Sequence, residues 1–245
     1  MRGALRGKPL GMGDAVRVLG IDACPGGWVA VALSDGRFDG ARFAASLRSL
    51  LGGNGDGTGD AVVVAVDIPL GLLDTGWRRA DAEAAALLGR LRGSVFRVPP
   101  RAVWQEEQYE AANRLCRELT GAGLSRQSWG LAAKLREANE CLTGAGGERL
   151  REVHPEVSFR ALAGGRPPVH RKKSWAGQMA RRSLLEKADI VLPDDLGDAG
   201  VVPADDVLDA AAAAWSADRI ARGRARSLPD PPQPGDRGRP IAIWY

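Results

Sequence analysis

Apolar and polar positions along Val16–Leu33, VRVLGIDACPGGWVAVAL, fall into two short apolar runs broken by Pro25-Gly26-Gly27. Proline presets φ and glycine tolerates φ > 0, so the break is turn chemistry and the stretch predicts two strands of one hairpin. Arg37–Ala44 alternates enough to predict a third strand, with Phe38 and Phe43 inward. Ser46–Leu51 reads as a short helical turn, and residues 52–60 as a glycine-rich, solvated loop. Ala61–Leu70, AVVVAVDIPL, is a near-continuous β-branched run, the pattern of a strand buried on both faces of a sheet that carries helices. Arg78–Leu91, Glu106–Leu119 and Leu124–Cys141 predict helices, the last with Ser125 as its N-cap. This block interrupts the alternation of strand and helix, so it reads as a helical insertion, about 93–145, over the sheet edge. Arg149–Leu162 returns to strand character, which would point Glu152, His154 and Glu156 to one face. Ser183–Ala188 continues a helix. Pro203–Ile220 is the final strong helix, and its Ala210–Ala214 run allows close approach to a sheet. Arg219–Pro240, Arg-rich then Pro-rich, predicts an irregular tail before a short apolar end, Ile241–Tyr245.

Composition changes this picture only at its edges. The chain has 245 residues, enough for one domain over 16–245 with the insertion inside it. Residues 1–15 are Gly- and Arg-rich without the apolar core of a signal peptide, and read as a disordered extension. Three cysteines, Cys24, Cys116 and Cys141, show no metal spacing; they predict a reducing, cytoplasmic setting and no disulfide framework. No apolar run reaches membrane-spanning length, so no membrane partner is expected. A net charge of +4 permits nucleic acid or phosphorylated partners without requiring them. Two histidines exclude a His-rich metal site.

The candidate chemistry is acidic. Asp22 ends the first strand and Asp67 ends the buried β-branched run, the position where open α/β sheets build their sites. Capping of the adjoining turn is the alternative for each. Asp205 and Asp206 suit the start of the last helix, whereas Asp209 lies one turn in, among small residues and on the face of Asp206. Clustered carboxylates repel one another, and Mg²⁺ or Mn²⁺, hard cations that prefer oxygen, relieve that repulsion. Two such ions can activate a water and stabilise the leaving oxygen in phosphodiester hydrolysis. The expected arrangement has Asp22 bridging two ions, Asp67 completing one shell, Asp206 and Asp209 reaching the other, and Glu152 or Glu156 orienting the water. The run Arg166, Arg171, Lys172, Lys173, Arg181 and Arg182 contains no acid and predicts a phosphate-contacting patch, with a solvated loop as the alternative. Arg101, Lys134, His154, Arg171, Lys172 and Lys173 are the candidate contacts to DNA or RNA. There is no Gly-Lys-Ser/Thr loop, zinc pair or nucleophile elbow.

Gly20-Ile21-Asp22 with Gly26-Gly27-Trp28, Val66 to Gly71, Ser94-Val95-Phe96 through Pro99-Pro100-Arg101, Glu152 to Phe159, and Asp205-Asp206 through Asp209-Ala210 together carry a family resemblance. The chain resembles the DUF429 family, a set of predicted nucleases assigned to the ribonuclease H-like superfamily. The resemblance implies a mixed five-stranded sheet, strands one to three antiparallel, with helices on both faces. It also implies an acidic metal site of Asp22, Asp67 and the acids of the last helix, with Glu152 or Glu156 nearby. A phosphotransferase of the actin and sugar-kinase type and a non-catalytic nucleic-acid-binding scaffold of the same fold are the alternative readings. The first would need a second glycine-rich phosphate turn, and the sequence contains none.

Overall fold

The first hairpin lies toward one side of the sheet, one strand in from its edge. Strand β1 (Arg17–Cys24) pairs antiparallel with β2 (Gly27–Ser34), and Gly26 turns between them at φ +76°. The structure, a computed structural model, describes residues 15–52, 60–235 and 238–245. The extension over 1–14 and the glycine-rich stretch 53–59 lie outside the described residues. Strand β3 (Arg37–Ala44) adds antiparallel to β2, and β4 (Val63–Asp67) parallel to the other side of β1. Strand β5 (Leu150–Val153) lies parallel beside β4, β7 (Ile241–Trp244) parallel beside β5, and β6 (Ser227–Gln233) antiparallel at the outer edge. The sheet order is β3-β2-β1-β4-β5-β7-β6. It is a mixed sheet of seven strands, not the five expected.

Of the two extra strands, β6 comes from the Arg219–Pro240 tail expected to be irregular, and β7 from the short apolar end after it. In Ser227–Gln233, SLPDPPQ, the prolines cannot donate to a ladder, so the segment survives only at an edge, bonded on one side to β7 with an irregular register.

Side-chain alternation gives the sheet two apolar faces. On one, Leu19, Ile21, Trp28, Val64 and Val66 pack under the helical block: α1 (Leu47–Leu51), α3 (Arg101–Gln105), α4 (Tyr109–Thr120) and α6 (Ala132–Cys141). Helix α2 (Arg79–Leu88) precedes α3, packed against β6 and β7. The helix expected over Leu124–Cys141 is two pieces, α5 (Arg126–Trp129), capped by Ser125, and α6, divided at Gly130 and Leu131. The helical block therefore covers a face of the sheet rather than its edge.

The opposite face belongs to α7 (Pro155–Leu162), α8 (Trp175–Glu186) and α9 (Ala204–Ala221). Pro155 is the first residue of α7, where its missing N–H costs nothing, so strand character ends at Val153. The predicted alternation of Glu152, His154 and Glu156 on one strand face is therefore not formed. Helix α9 lies on β1 at Gly20: a Cβ there would sit 2.0 Å from the Ala214 amide nitrogen and 2.2 Å from the Ala210 carbonyl oxygen. Ala210 to Ala214 are all fully buried against the strand. Among the described residues, no helix is long and apolar enough to cross a membrane.

Candidate metal centre

Asp22 and Asp67 are register partners on the parallel strands β1 and β4. Val18, Gly20 and Asp22, like Val63, Ala65 and Asp67, share a strand face with period two, so both acids look toward α9. Helix α9, seated on Gly20, brings Asp209 to meet them. One carboxylate oxygen from each of Asp22, Asp67 and Asp209 lies within 4.8 Å of the others. Asp22 is 5% and Asp209 2% exposed, while Asp67 is half-buried beside a cleft of about 180 Å³. Phe96, Leu131, Glu152 and His154 line the same cleft.

The enclosure sets the charge states. Burial, then the neighbouring Asp67 and Asp209, raise the Asp22 carboxyl well above the usual range. Burial lifts Asp67 to about 7, against the pull of Lys172 and of a hydrogen bond with Asp22. Asp209 is likewise lifted to about 7 by burial, again against Lys172. Lys172, from the segment between α7 and α8, places its Nζ 2.6 Å from Asp209 Oδ2 and 3.9 Å from Asp205 Oδ2. Burial pulls this ammonium down, but Asp209, Asp22 and Asp67 outweigh it and hold it above its ordinary value. Asp209 Oδ1 is buried with no hydrogen-bond partner. A carboxylate-only donor set with an unsatisfied buried oxygen suits a hard divalent cation such as Mg²⁺ or Mn²⁺.

The family model for DUF429 matches residues 20–234, a span that contains all of these acids. The chain belongs to the DUF429 family. That family is described as a protein of unknown function. No curated protein and no solved structure matches the chain.

In this DUF429 protein the other predicted site residues are distributed as follows. Asp206 is half-buried in the first turn of α9, outside the three-carboxylate group, and its carboxyl is raised by burial and by Asp205. Glu152 is committed at both oxygens: Oε1 accepts from Arg78 Nη2 at 2.5 Å and Oε2 from the Leu70 amide at 2.8 Å. Burial still lifts it to about 7 despite Arg78. Glu156 pairs with the buried Arg181 at 2.6 Å and leaves Oε2 unpartnered. His154 bonds the Ser94 carbonyl through Nε2, and burial lowers its pKa.

Among the predicted nucleic-acid contacts, Arg101 is bound to Asp74 and the Leu72 carbonyl. Lys134 donates to the Gly27 carbonyl and lies over the Trp28 ring. The basic run is not one patch, because Lys172, Arg181 and Arg182 have acidic partners within the fold. Arg171 and Lys173 are exposed on either side of Lys172. Sequence reasoning missed the buried network of Arg78, Asp81 and Glu152, of which only the Arg78–Asp81 spacing of three residues was a readable signal.

Proposed function

We propose that this DUF429 protein is a metal-dependent nuclease, hydrolysing phosphodiester bonds of DNA or RNA at the Asp22–Asp67–Asp209 centre with Mg²⁺ or Mn²⁺. The observation that carries this reading is the convergence of those carboxylates from three elements at the carboxyl ends of parallel strands. Antiparallel β1, β2 and β3 in a mixed sheet with helices on both faces agree with part of what the ribonuclease H-like resemblance implies, and so support the reading. When bound, the ion lowers the pKa of a water and stabilises charge on the phosphate oxygens. The chain's own part is to hold that charge in place. Asp22, Asp67 and Asp209 supply the ligand oxygens, with β1, β4 and α9 fixing their directions. Arg171 and Lys173, exposed on either side of Lys172 in the chain, are candidate contacts to backbone phosphates. In the reaction a water oxygen bonds to phosphorus and gives up one proton, the ester P–O bond breaks, and the departing oxygen takes up that proton, directly or through solvent. Cys24, Cys116 and Cys141 are free and buried, which favours a reducing compartment such as the cytoplasm.

The test uses labelled single- and double-stranded DNA and RNA with Mg²⁺, Mn²⁺ or EDTA, for wild type and Asp22→Asn. Metal-dependent cleavage lost in the variant supports the reading. Absence of cleavage from all four polymers, in protein that binds the metal, would overturn it in favour of a non-catalytic scaffold.

A further inference from the structure

Lys172 does not hang over the acidic centre by chance of a flexible loop; its backbone is fastened on both sides. Ser174 Oγ donates to the Arg171 carbonyl at 2.8 Å and accepts from the Gly177 amide at 3.1 Å, capping α8. Gly177 lies so close beneath the segment that a Cβ would come within 1.9 Å of the Arg171 carbonyl oxygen. One residue further back, the buried Arg181 donates to the His170 carbonyl at 3.2 Å while paired to Glu156. The residues before and after Lys172 are thus held, and its side chain enters the centre from a fixed base.

The two oxygens of Asp209 divide between different partners. Oδ2 accepts from Lys172 Nζ, Oδ1 is buried with no hydrogen-bond partner, and one Asp209 oxygen lies within 4.8 Å of oxygens of Asp22 and Asp67. In a two-ion centre a bridging carboxylate gives one oxygen to each ion. We infer that the Lys172 ammonium occupies the position of the second cation, so that the centre takes one divalent ion and keeps a permanent single positive charge beside it. The inference rests on the nuclease reading only in so far as the centre binds metal at all. An ammonium carries half the charge of Mg²⁺, holds no water to activate, and cannot be chelated away. Its chemical part is that of a fixed positive charge against Asp209 and Asp205, close to the reacting phosphate.

Mn²⁺ titration by calorimetry at pH 8, with EPR of the loaded protein, tests this without any substrate. Wild type and Lys172→Arg should each bind one Mn²⁺ per chain and give the six-line spectrum of an isolated ion. Lys172→Met should bind two and show the broadened spectrum of a coupled pair. Two ions in wild type, or a single ion in folded Lys172→Met, would overturn the inference and leave the metal centre standing. No binding to wild type would remove both. The wild-type spectrum decides even where Lys172→Met does not fold, since a coupled pair there is fatal to the idea.

Discussion

Asp22 is enclosed by apolar strand sequence and faces two other carboxylates, so without a cation its negative form is the costly one. Replacing it by Asn removes a repelling charge while keeping the shape. The Asp22→Asn protein in EDTA should melt at or above the wild-type temperature. It should also lose the Mg²⁺-induced rise in melting temperature, and any cleavage should fall at least ~100-fold, beyond what outer-shell changes cost. Scanning calorimetry with and without Mg²⁺ checks the first two. The same residues predict a pH dependence. Asp67 and Asp209 are raised to about 7 in the fold from an ordinary 3.8. The folded state therefore holds protons that the unfolded chain has released, and this contribution to stability, complete below about 3.8, is lost as pH rises through about 7. Metal-free protein should melt lower at pH 8 than at pH 5, and Mg²⁺ should raise the melting temperature more at pH 8. A metal-free melting temperature that climbs between those pH values would contradict the assignment.

At the scale of elements, the centre depends on how closely α9 can approach β1. Gly20→Ala would drive a methyl into the backbone of α9, which cannot rotate away as a side chain could. The expected cost is about 3 kcal/mol or more, the upper range for overpacking, together with weakened Mg²⁺ affinity because Asp209 rides on the displaced helix. Denaturant unfolding and metal titration of the one variant report both effects. A folded Gly20→Ala protein with unchanged metal affinity would mean that α9 does not set the geometry. Much of this arrangement is legible in the sequence. The hairpin, the β-branched run and the Ala-rich helix each carry a local period that matches the element formed. Pro155 and the Pro-rich β6 mislead for opposite reasons: one proline begins a helix where strand character is expected, and several sit in a strand where an irregular tail is. The acids are readable because each of Asp22 and Asp67 ends an apolar run. Lys172 is readable as a cation and stands among the candidate phosphate contacts, but its place against the acids is not, since its partner Asp209 lies 37 residues away.

Across the whole molecule, the net charge of +4 says less than where the exposed charge lies. With Lys172, Arg181 and Arg182 held by acids, Arg166, Arg171 and Lys173 remain exposed, the last two on either side of Lys172 in the chain. If nucleic acid binds there, replacing Arg171 and Lys173 by Ala should flatten the dependence of log K on log salt by ~0.7–0.9 for each phosphate no longer neutralised. Fluorescence anisotropy with a labelled oligonucleotide over a salt series measures this, and an unchanged slope would place the binding surface elsewhere. The sheet order has a consequence for assembly. Strand β7 lies between β5 and β6 yet follows both in the chain, and β6 has no other strand beside it among the described residues. Strands β1 to β5 and α9 pair with one another without help from β6 or β7. Until Ile241–Trp244 docks, the outer edge of β5 is a row of unpaired amides and carbonyls, open to the strand of any other chain. Strand β7 is therefore a bolt as much as a strand: it shuts the sheet against strangers.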